Sequence, residues 1–430
     1  MKNLRRGDAL PGTRTLASSL NVSRNTVIEA YSRLEQEGWI FSVPQGGTFV
    51  SHSLPKNILS DDEKYQGTAS NNIFDQGLPD ARHSPILDVM REYRRIASKI
   101  HQGKITLKTD PLGYIRLRVK LAQMLAQQRR IHSDENNICI TRGSQMGIFL
   151  LSQCLFNKGD HVIVEHPGYR LAWDAFEYSG ANVITAEVDD DGIIVSDVKR
   201  ILQQKKNIKA VYITPNSQFP TTAVLSEARR QELIELSNEY NFFIIEDDYC
   251  IDLNYEAPLF PLCSSNRLKN YFYIGTFSRS VSPLLKIGYV VGSHDLINEI
   301  KNLRKVIDIS GDMIMEAALF NLIQDGVFSR HIKRYTQFYK EKRDQVDLLL
   351  KKYLNDKVKY HKPKLGLGYW ITPIKQSENY NDIIDELISK DIMIINSDYY
   401  KISGHGFYLS FGSADLEKLE IGIKIIGEYL

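Results

Sequence analysis

Cysteine and tryptophan are scarce in this chain of 430 residues, which contains four cysteines and three tryptophans. The cysteines are Cys139, Cys154, Cys250 and Cys263, and no two of them form a Cys-x-x-Cys pair. This spacing argues against a disulfide framework and against a thiolate zinc site, so we expect free thiols in a reducing cytoplasm. No metal site is expected.

Long hydrophobic runs are also missing. No stretch approaches the roughly 20 apolar residues that a membrane span requires, and no membrane partner is expected. The first residues, MKNLRRGDALPGTR, are charged without an apolar run behind them, which is not the pattern of a secretory signal. Apolar residues make up 43% of the chain and charged residues 25%, as in a soluble globular protein with a full core.

The net charge is only +2, from 54 basic and 52 acidic residues, whereas nucleic-acid binders usually show a clear basic excess. Dividing the chain at residue 51 changes this picture. Residues 1–51 hold six basic and four acidic residues, 6 − 4 = +2, and the other 379 residues hold 48 of each sign. The whole excess therefore lies on the N-terminal segment.

The chain is about three times as long as the ~150 residues of a typical domain, so we expect more than one domain. Residues 52–72 are polar and rich in turn-forming residues, and they are predicted to be a linker. From residue 73 to 430, apolar runs alternate with amphipathic segments, which predicts an α/β domain with a mainly parallel sheet and a smaller C-terminal α+β lobe. Strands are predicted at 137–141, 161–165, 182–187, 209–214, 242–247, 271–275 and 286–292, and in the small lobe at 368–374, 392–395 and 406–411. Helices are predicted at 115–130, 144–157, 195–205 and 226–240.

Residues 1–51 have the pattern of two short helices joined by a tight turn and followed by a hairpin. The first helix is predicted at 12–20, and the second begins after Ser23, whose hydroxyl is a good N-cap. Inward-facing positions are predicted at Leu16, Ala17, Leu20, Val27, Ala30, Tyr31 and Leu34. Strands at 39–43 and 48–51 enclose Gly46 and Gly47, which allow a close backbone approach to a phosphate.

This segment resembles the winged helix-turn-helix domain of GntR-family bacterial regulators. The resemblance is carried by L-x-x-S-L-N-V-S-R-N-T-V-x-x-A-Y-x-x-L-x-x-E-G-W and G-G-T-F-V. It implies operator DNA as a partner, contacted at the start of the second helix and at the wing. The implied contact residues are Arg14, Ser23, Arg24, Asn25, Thr26, Gly46 and Gly47. Family members have a further helix before this segment, and here only Met1 to Gly7 precede it. The alternative is a small helical protein-interaction module.

Six short motifs follow in order along the large domain. One of them, Thr141 to Gln145, lies where a strand is predicted to lead into a helix, and free backbone N–H groups at such a junction favour a phosphate. The six motifs are Asp110-Pro111-Leu112-Gly113, Thr141-Arg142-Gly143-Ser144-Gln145, Glu165-His166-Pro167-Gly168-Tyr169, the stretch from Thr214 to Thr221, Ile244 to Tyr249, and Gly275 to Ser280 followed by Lys286.

Together these motifs resemble the fold type I aminotransferase domain, which uses pyridoxal phosphate. Joined to the winged helix, they resemble the MocR subfamily of GntR regulators over nearly the whole chain. The resemblance implies that Asp247 meets the pyridine nitrogen, Tyr249 the ring oxygen and Tyr169 the ring face. It implies phosphate donors at Ser144, Gln145, Thr276 and Ser278. Taken alone, the two tyrosines would be core aromatics and Asp247 a helix cap.

The chain departs from the family pattern where the chemistry depends on it. The lysine that forms a Schiff base is replaced by Arg279, whose guanidinium stays protonated and is not an amine nucleophile. The arginine that meets the phosphate is replaced by Lys286, and the tyrosine that reaches the partner subunit's phosphate by Lys108. The arginine that binds a substrate carboxylate aligns with Tyr408. The family's His and Gly around the fourth motif are Ser217 and Thr222.

These departures predict a homodimeric, cytoplasmic bacterial regulator whose large domain no longer binds pyridoxal phosphate covalently. The domain would bind the cofactor non-covalently, another small anionic or phosphorylated molecule, or nothing. We expect no catalytic residue. Three alternatives stay open: a Schiff base formed at Lys286, a pyridoxal phosphate-dependent aminotransferase with an accessory DNA-binding segment, and a dimeric scaffold that binds no DNA.

Overall fold

The computed structural model describes residues 7–36, 38–43, 46–51, 77–375, 395–396 and 406–430. The predicted linker at 52–72 lies outside these residues, as do positions 392–394 of one predicted strand. The chain divides into two compact units, residues 1–71 and 72–430. In the described part of the chain, no helix combines the length and the apolar character that a membrane span needs.

The first unit contains two helices and an antiparallel hairpin. Helix α1 spans Thr13–Leu20 and helix α2 spans Arg24–Gln36, while strands β1 (Ile40–Val43) and β2 (Gly47–Val50) form the hairpin. The elements agree with the predicted ones to within about two residues. The hairpin is extended by a bridge between Ala9 and Phe49.

The core of this unit is smaller than the sequence predicts. Ala17 and Val27 are buried, but Leu20 is 59% exposed, Leu34 is 36% exposed and Ala30 is also exposed. The prediction that these last three face inward is therefore wrong. The reason is that, among the described residues of this unit, no third helix covers that side of α1 and α2.

The second unit is built on an eight-stranded sheet. Its strands are β3 (Ile138–Thr141), β4 (His161–His166), β5 (Asn182–Asp189), β6 (Gly192–Ile193), β7 (Ile208–Ile213), β8 (Phe243–Asp248), β9 (Tyr271–Thr276) and β10 (Gly288–Val291). They are arranged in the order β3-β10-β9-β8-β7-β4-β5-β6. Neighbouring strands from β9 through β8, β7 and β4 to β5 are parallel, whereas β10 and β6 run antiparallel to their neighbours.

Helices cover both faces of this sheet, which explains why its central strands are nearly continuous apolar runs. Two separate clusters of buried side chains fill the two interfaces. The helices are α3 (Ile86–His101), α4 (Ile115–Arg129), α5 (Gly143–Leu155), α6 (Arg170–Tyr178), α7 (Val195–Gln204), α8 (Glu227–Tyr240), α9 (His294–Ile307), α10 (Met313–Gln324) and α11 (Val327–Tyr353).

A smaller antiparallel sheet follows at the C-terminus. Its strands β11 (Val358–Tyr360), β12 (Gly368–Pro373), β13 (Ile395–Asn396) and β14 (Phe407–Ser410) pair in the order β11-β12-β14-β13. Helix α12 (Leu416–Tyr429) and the long helix α11 pack together beside this sheet around their own apolar cluster.

The predicted fold class, a winged helix followed by an α/β domain and a smaller α+β lobe, is confirmed. All seven strands predicted for the large sheet are present, with boundaries within two residues of those expected. The sequence patterns missed helices α3 and α6 and the short strand β6. Helix α6 was missed because it is only nine residues long and follows directly on the Pro167–Tyr169 turn.

Candidate functional site

A cavity of about 390 Å³ opens along the edge of the large sheet where the parallel strands end. Ligands in open α/β sheets bind at this edge because the loops that leave the carboxyl ends of the strands converge there. Nine of the ten cofactor-contact residues predicted from the sequence line this one cavity. They are Ser144, Gln145, Tyr169, Asp247, Tyr249, Thr276, Ser278, Arg279 and Lys286.

The tenth predicted residue, Lys108, is exposed and is not among the residues that line this cavity. Its predicted role is in the partner subunit's site, so its place away from its own cavity agrees with that role without testing it. The cavity also contains residues that sequence reasoning did not assign to it. These are Leu78, Arg142, Gly143, Leu171, Tyr212, Thr214, Phe219 and Pro283.

One end of the cavity is formed by the N-terminus of α5. The residue before this helix, Arg142, makes no side-chain cap to its first N–H groups, and Gly143 has a φ of +76° that brings the chain sharply from β3 into the helix. Uncapped N–H groups and the positive end of the helix dipole together attract an anion. Arg142 and Lys286 add two exposed positive side chains to the same wall.

Close packing of β10 holds this helix terminus in place. A Cβ atom added to Gly288 would lie 2.6 Å from the carbonyl carbon of Gly143 and 2.8 Å from the amide nitrogen of Ser144. Thr276, at the end of β9, also lines the cavity. Its hydroxyl donates to the carbonyl of Ile287 at 3.3 Å and accepts from the amide of Ser278 at 3.1 Å. Thr276 therefore shapes the loop after β9 as well as lining the cavity.

Asp247, at the end of β8, is the carboxylate on the floor of the cavity. It is 4% exposed, and its Oδ2 accepts a hydrogen bond from the Tyr212 hydroxyl at 2.8 Å. Its Oδ1 is buried and has no hydrogen-bond partner among the described residues. Burial raises the pKa of Asp247 to about 7. A buried acceptor without a hydrogen bond costs free energy, and a ligand that donates a hydrogen bond to it would remove that cost.

Aromatic rings surround the rest of the cavity. Phe219 meets Tyr169 and Tyr249 edge to face, with ring centroids 5.9 and 6.0 Å apart, and its ring lies 5.7 Å from that of Tyr408. The Tyr249 hydroxyl is within 3.3 Å of the Ser217 hydroxyl. Sequence reasoning missed Phe219, although it lies within a quoted motif, because an aromatic residue there has no distinctive signal.

Arg279 lines the part of the cavity near Gly77 and Tyr408. Its Nη1 donates to the carbonyl oxygen of Gly77. A Cβ atom added to Gly77 would lie 3.0 Å from the Tyr408 hydroxyl and 3.5 Å from Arg279 Nη1, so these three residues meet at one point. Tyr408 itself is buried and packs on Gly368, where a Cβ atom would be 2.2 Å from its ring.

Glu165 and Glu246 are two further buried carboxylates, and Glu165 holds Thr214, which lines the cavity. Glu165 accepts from the amide and the hydroxyl of Thr214 at 3.0 and 2.6 Å, and Glu246 accepts from the amides of Leu262 and Cys263 at 3.0 and 3.2 Å. Burial raises the pKa of each to about 7. They are structural anchors, because their oxygens face backbone N–H groups rather than the cavity.

Thr222 has a φ of +63°, in the left-handed region that side chains rarely adopt. Thr222 stands where the resemblance to aminotransferases implies a glycine. A threonine in this conformation carries a strain of about 1 kcal/mol.

In the first unit, the predicted DNA contacts cluster at the start of α2 and at the hairpin tip. Ser23 Oγ accepts the Thr26 amide at 3.1 Å and lies 2.8 Å from the Thr26 hydroxyl, so Ser23 is the N-cap. The side chains of Arg24 and Asn25 are exposed beside it, and Arg14 is exposed on α1.

At the hairpin tip, Gly47 has a φ of +105° and the Gly46 amide donates to the Val43 carbonyl at 2.9 Å. The positive φ of Gly47 is one that only glycine adopts readily, which explains the residue type at this turn. The DNA-contact roles of these seven residues stay predictions.

Comparison with protein families gives two matches. The model described as "Aminotransferase class I and II" matches residues 74–406, and the model described as "Bacterial regulatory proteins, gntR family" matches residues 1–50. Each match lies within one of the two compact units.

The individual relatives are of two kinds, transcriptional regulators and aminotransferases. The chain is 30% identical to the uncharacterized HTH-type transcriptional regulator YcxD of Bacillus subtilis, over 78% of this chain and 74% of the relative. It is 26% identical to aromatic-amino-acid aminotransferase 1 of Thermococcus litoralis, over 82% and 86%. Among solved structures, kynurenine aminotransferase of Pyrococcus horikoshii superposes with a TM-score of 0.77 at 26% identity, covering 88% of this chain and 94% of that one.

Proposed function

The chain belongs to the class I and II aminotransferase family and carries a GntR-family segment at its N-terminus, and from this premise we propose that it is a ligand-responsive, DNA-binding transcriptional regulator. Its large domain would bind a small phosphorylated ligand without covalent attachment. The observation that carries this proposal is the cavity itself, which has an anion-attracting end and a buried carboxylate with one unpartnered oxygen but an arginine at position 279.

The residues present fit pyridoxal phosphate or a related phosphorylated pyridine. The buried Oδ1 of Asp247 suits a protonated ring nitrogen, and the uncapped N-terminus of α5 with Arg142 and Lys286 suits the phosphate. When bound, such a ring supplies an electron-accepting pyridinium. Tyr249 would hold the ring oxygen and Tyr169 the ring face.

The covalent link does not fit. Arg279 stands where the family resemblance places the lysine, and a guanidinium does not become a neutral amine in proteins. Among the described residues that line the cavity, Lys286 is the one lysine. Its side chain is exposed and lines the wall of the cavity at the N-terminus of α5. We therefore assign it to the phosphate. A different anionic or phosphorylated effector would use the same end of the cavity.

Borohydride reduction after incubation with pyridoxal phosphate is expected to leave no stoichiometric adduct in the cavity of the unchanged protein. Arg279→Lys is expected to gain one adduct per chain, on the tryptic peptide that contains position 279, because the variant places an amine where the guanidinium was. Peptide mass spectrometry measures both results. A stoichiometric adduct on Lys286 of the unchanged protein would overturn non-covalent binding, and Lys286→Gln serves to identify it.

We propose that the protein acts as a homodimer in the bacterial cytoplasm. Several large apolar side chains of the second unit are exposed, including Leu87 (77%) on α3, Leu284 (80%) and Val306 (86%). Leu284 and Met90 line one further cavity together, so part of this apolar surface is continuous. A second subunit would cover it, bring Lys108 to the neighbouring phosphate site, and present two helix-turn-helix units to two half-sites.

Binding to DNA is expected to depend on the start of α2. In a gel-shift assay with DNA selected from a random library, Arg24→Ala should weaken binding by at least about tenfold and lower the salt dependence of the affinity by about one phosphate contact. Arg33→Ala is the matched control, since Arg33 lies in the last turn of the same helix. Equal losses for the two variants would show that only net charge matters.

An aminotransferase with an accessory DNA-binding segment is the second candidate, supported by the named aminotransferase relatives. A turnover assay with an amino donor and 2-oxoglutarate distinguishes it. Measurable transamination by the unchanged protein would favour this candidate over the regulator.

A further inference from the structure

The two fixed ends of the cavity determine how a phosphorylated pyridine must lie in it, if the proposed function holds. The phosphate belongs at the N-terminus of α5 and the ring nitrogen at Asp247. In the vitamin B6 ring the substituent at position 4 is directly across the ring from the nitrogen. It therefore points away from Asp247.

Arg279 is a charged side chain that lines the same cavity. It reaches to the carbonyl of Gly77, beside Tyr408. Burial raises the pKa of Tyr249, and the positive charge of Arg279 acts in the opposite direction, in keeping with its nearness to that phenol. The contact with Gly77 holds the planar guanidinium in one place, so its charge is a fixed feature of the cavity.

We infer that Arg279 selects the ligand by the charge of the substituent at ring position 4. A hydroxymethyl, aldehyde or carboxylate group offers an oxygen that accepts a hydrogen bond from the guanidinium. An aminomethyl group is a cation at neutral pH and is repelled by it. The effector would then be an oxygen-bearing phosphorylated pyridine rather than the amine form. This inference rests on the proposed function and adds a specificity-determining residue to it.

Two ligands of nearly the same shape separate charge from fit. Pyridoxine 5′-phosphate and pyridoxamine 5′-phosphate share the ring and the phosphate and differ at position 4 by a hydroxyl or an ammonium group. Isothermal titration at pH 7 is expected to give a Kd at least about tenfold lower for the pyridoxine ester. Neither ligand is an aldehyde, so surface lysines do not interfere.

Variants of two arginines that line the cavity identify the cause. Arg279→Gln is expected to bring the ratio of the two dissociation constants close to one, because the variant removes the charge and keeps hydrogen-bonding groups. Arg142→Gln is the matched control, since Arg142 lies at the phosphate end. It should weaken both ligands by a similar factor and leave the ratio unchanged.

The outcomes separate this inference from the proposed function. Equal binding of the two esters by the unchanged protein, or tighter binding of the amine, would overturn the role of Arg279 and leave non-covalent ligand binding intact. Failure of both esters to bind would also overturn the proposal that the ligand is a phosphorylated pyridine. The comparison of ligands on the unchanged protein holds even if the Arg279 variant fails to fold.

Discussion

Asp247→Asn is expected to weaken binding of pyridoxine 5′-phosphate by about 100-fold, because it replaces a charge-assisted hydrogen bond to the ring nitrogen with a neutral one. The change keeps the shape of the side chain and an oxygen that accepts from Tyr212. Isothermal titration at pH 7 measures it. Tyr212→Phe is the comparison, since it removes one hydrogen bond and keeps the carboxylate, and a loss of no more than about tenfold is expected.

The Asp247→Asn variant should be more stable than the unchanged protein at high pH when no ligand is bound. Burial raises the pKa of Asp247 from 3.8 to about 7. A carboxyl group with a raised pKa in the folded state contributes stability that is present below about pH 4 and is lost as the pH rises through about 7. Asparagine never ionises, so it avoids this loss.

Calorimetric unfolding at two pH values tests the sign of the effect. The free energy of unfolding of the variant should exceed that of the unchanged protein by about 2–4 kcal/mol at pH 8, and the two should differ little at pH 4. A variant less stable at pH 8 would mean that Asp247 is ionised without cost in the empty cavity.

Gly288→Ala is expected to lower the free energy of unfolding by about 2–3 kcal/mol and to reduce the affinity for a phosphorylated ligand by about 100-fold. The added methyl would lie 2.6–2.8 Å from backbone atoms of Gly143 and Ser144, which have no rotamer to move to. The N-terminus of α5 would have to shift from β10, and its N–H groups would no longer converge on the phosphate. Chemical denaturation and titration with pyridoxine 5′-phosphate measure the two effects.

Gly292→Ala is the control for this prediction because it lies just after the same strand, β10. Its added Cβ would be 3.0 Å from the edge of the Phe272 ring, which can tilt. We expect a loss of stability within about 1 kcal/mol and unchanged ligand affinity. If both glycine variants lost affinity equally, the cause would be general loosening of the sheet rather than the position of α5.

Short sequence motifs located most of the cavity because each follows a strand directly. Asp247 is the last residue but one of β8, Thr276 ends β9 and Ser144 is the second residue of the helix after β3. In parallel strands all such positions come to the same edge of the sheet. A strand pattern and a polar residue at its end were therefore enough to place these residues, although their binding roles remain to be tested.

Local patterns gave less information where contacts come from distant parts of the chain. Tyr212 is the partner of Asp247 because β7 and β8 are adjacent in the sheet. The sequence of β7 alone predicts only that Tyr212 is another core aromatic. Gly77 meets Arg279 across 202 positions of sequence. Leu20 and Leu34 have helical spacing, yet they are exposed, since burial depends on a neighbouring element and not on the helix itself.

The sequence by itself determined the fold class, the division into a small basic segment and a large neutral domain, and the presence of an arginine where a reactive lysine is expected. These follow from residue types and short spacings, which the chain carries locally. Tertiary structure alone decided that Asp247 keeps an unpartnered oxygen, that the α5 terminus is pressed against β10, and that Arg279 meets Gly77 beside Tyr408. Each of these depends on which distant backbone segments lie side by side. The sequence of a single segment does not determine the order of the strands in the sheet.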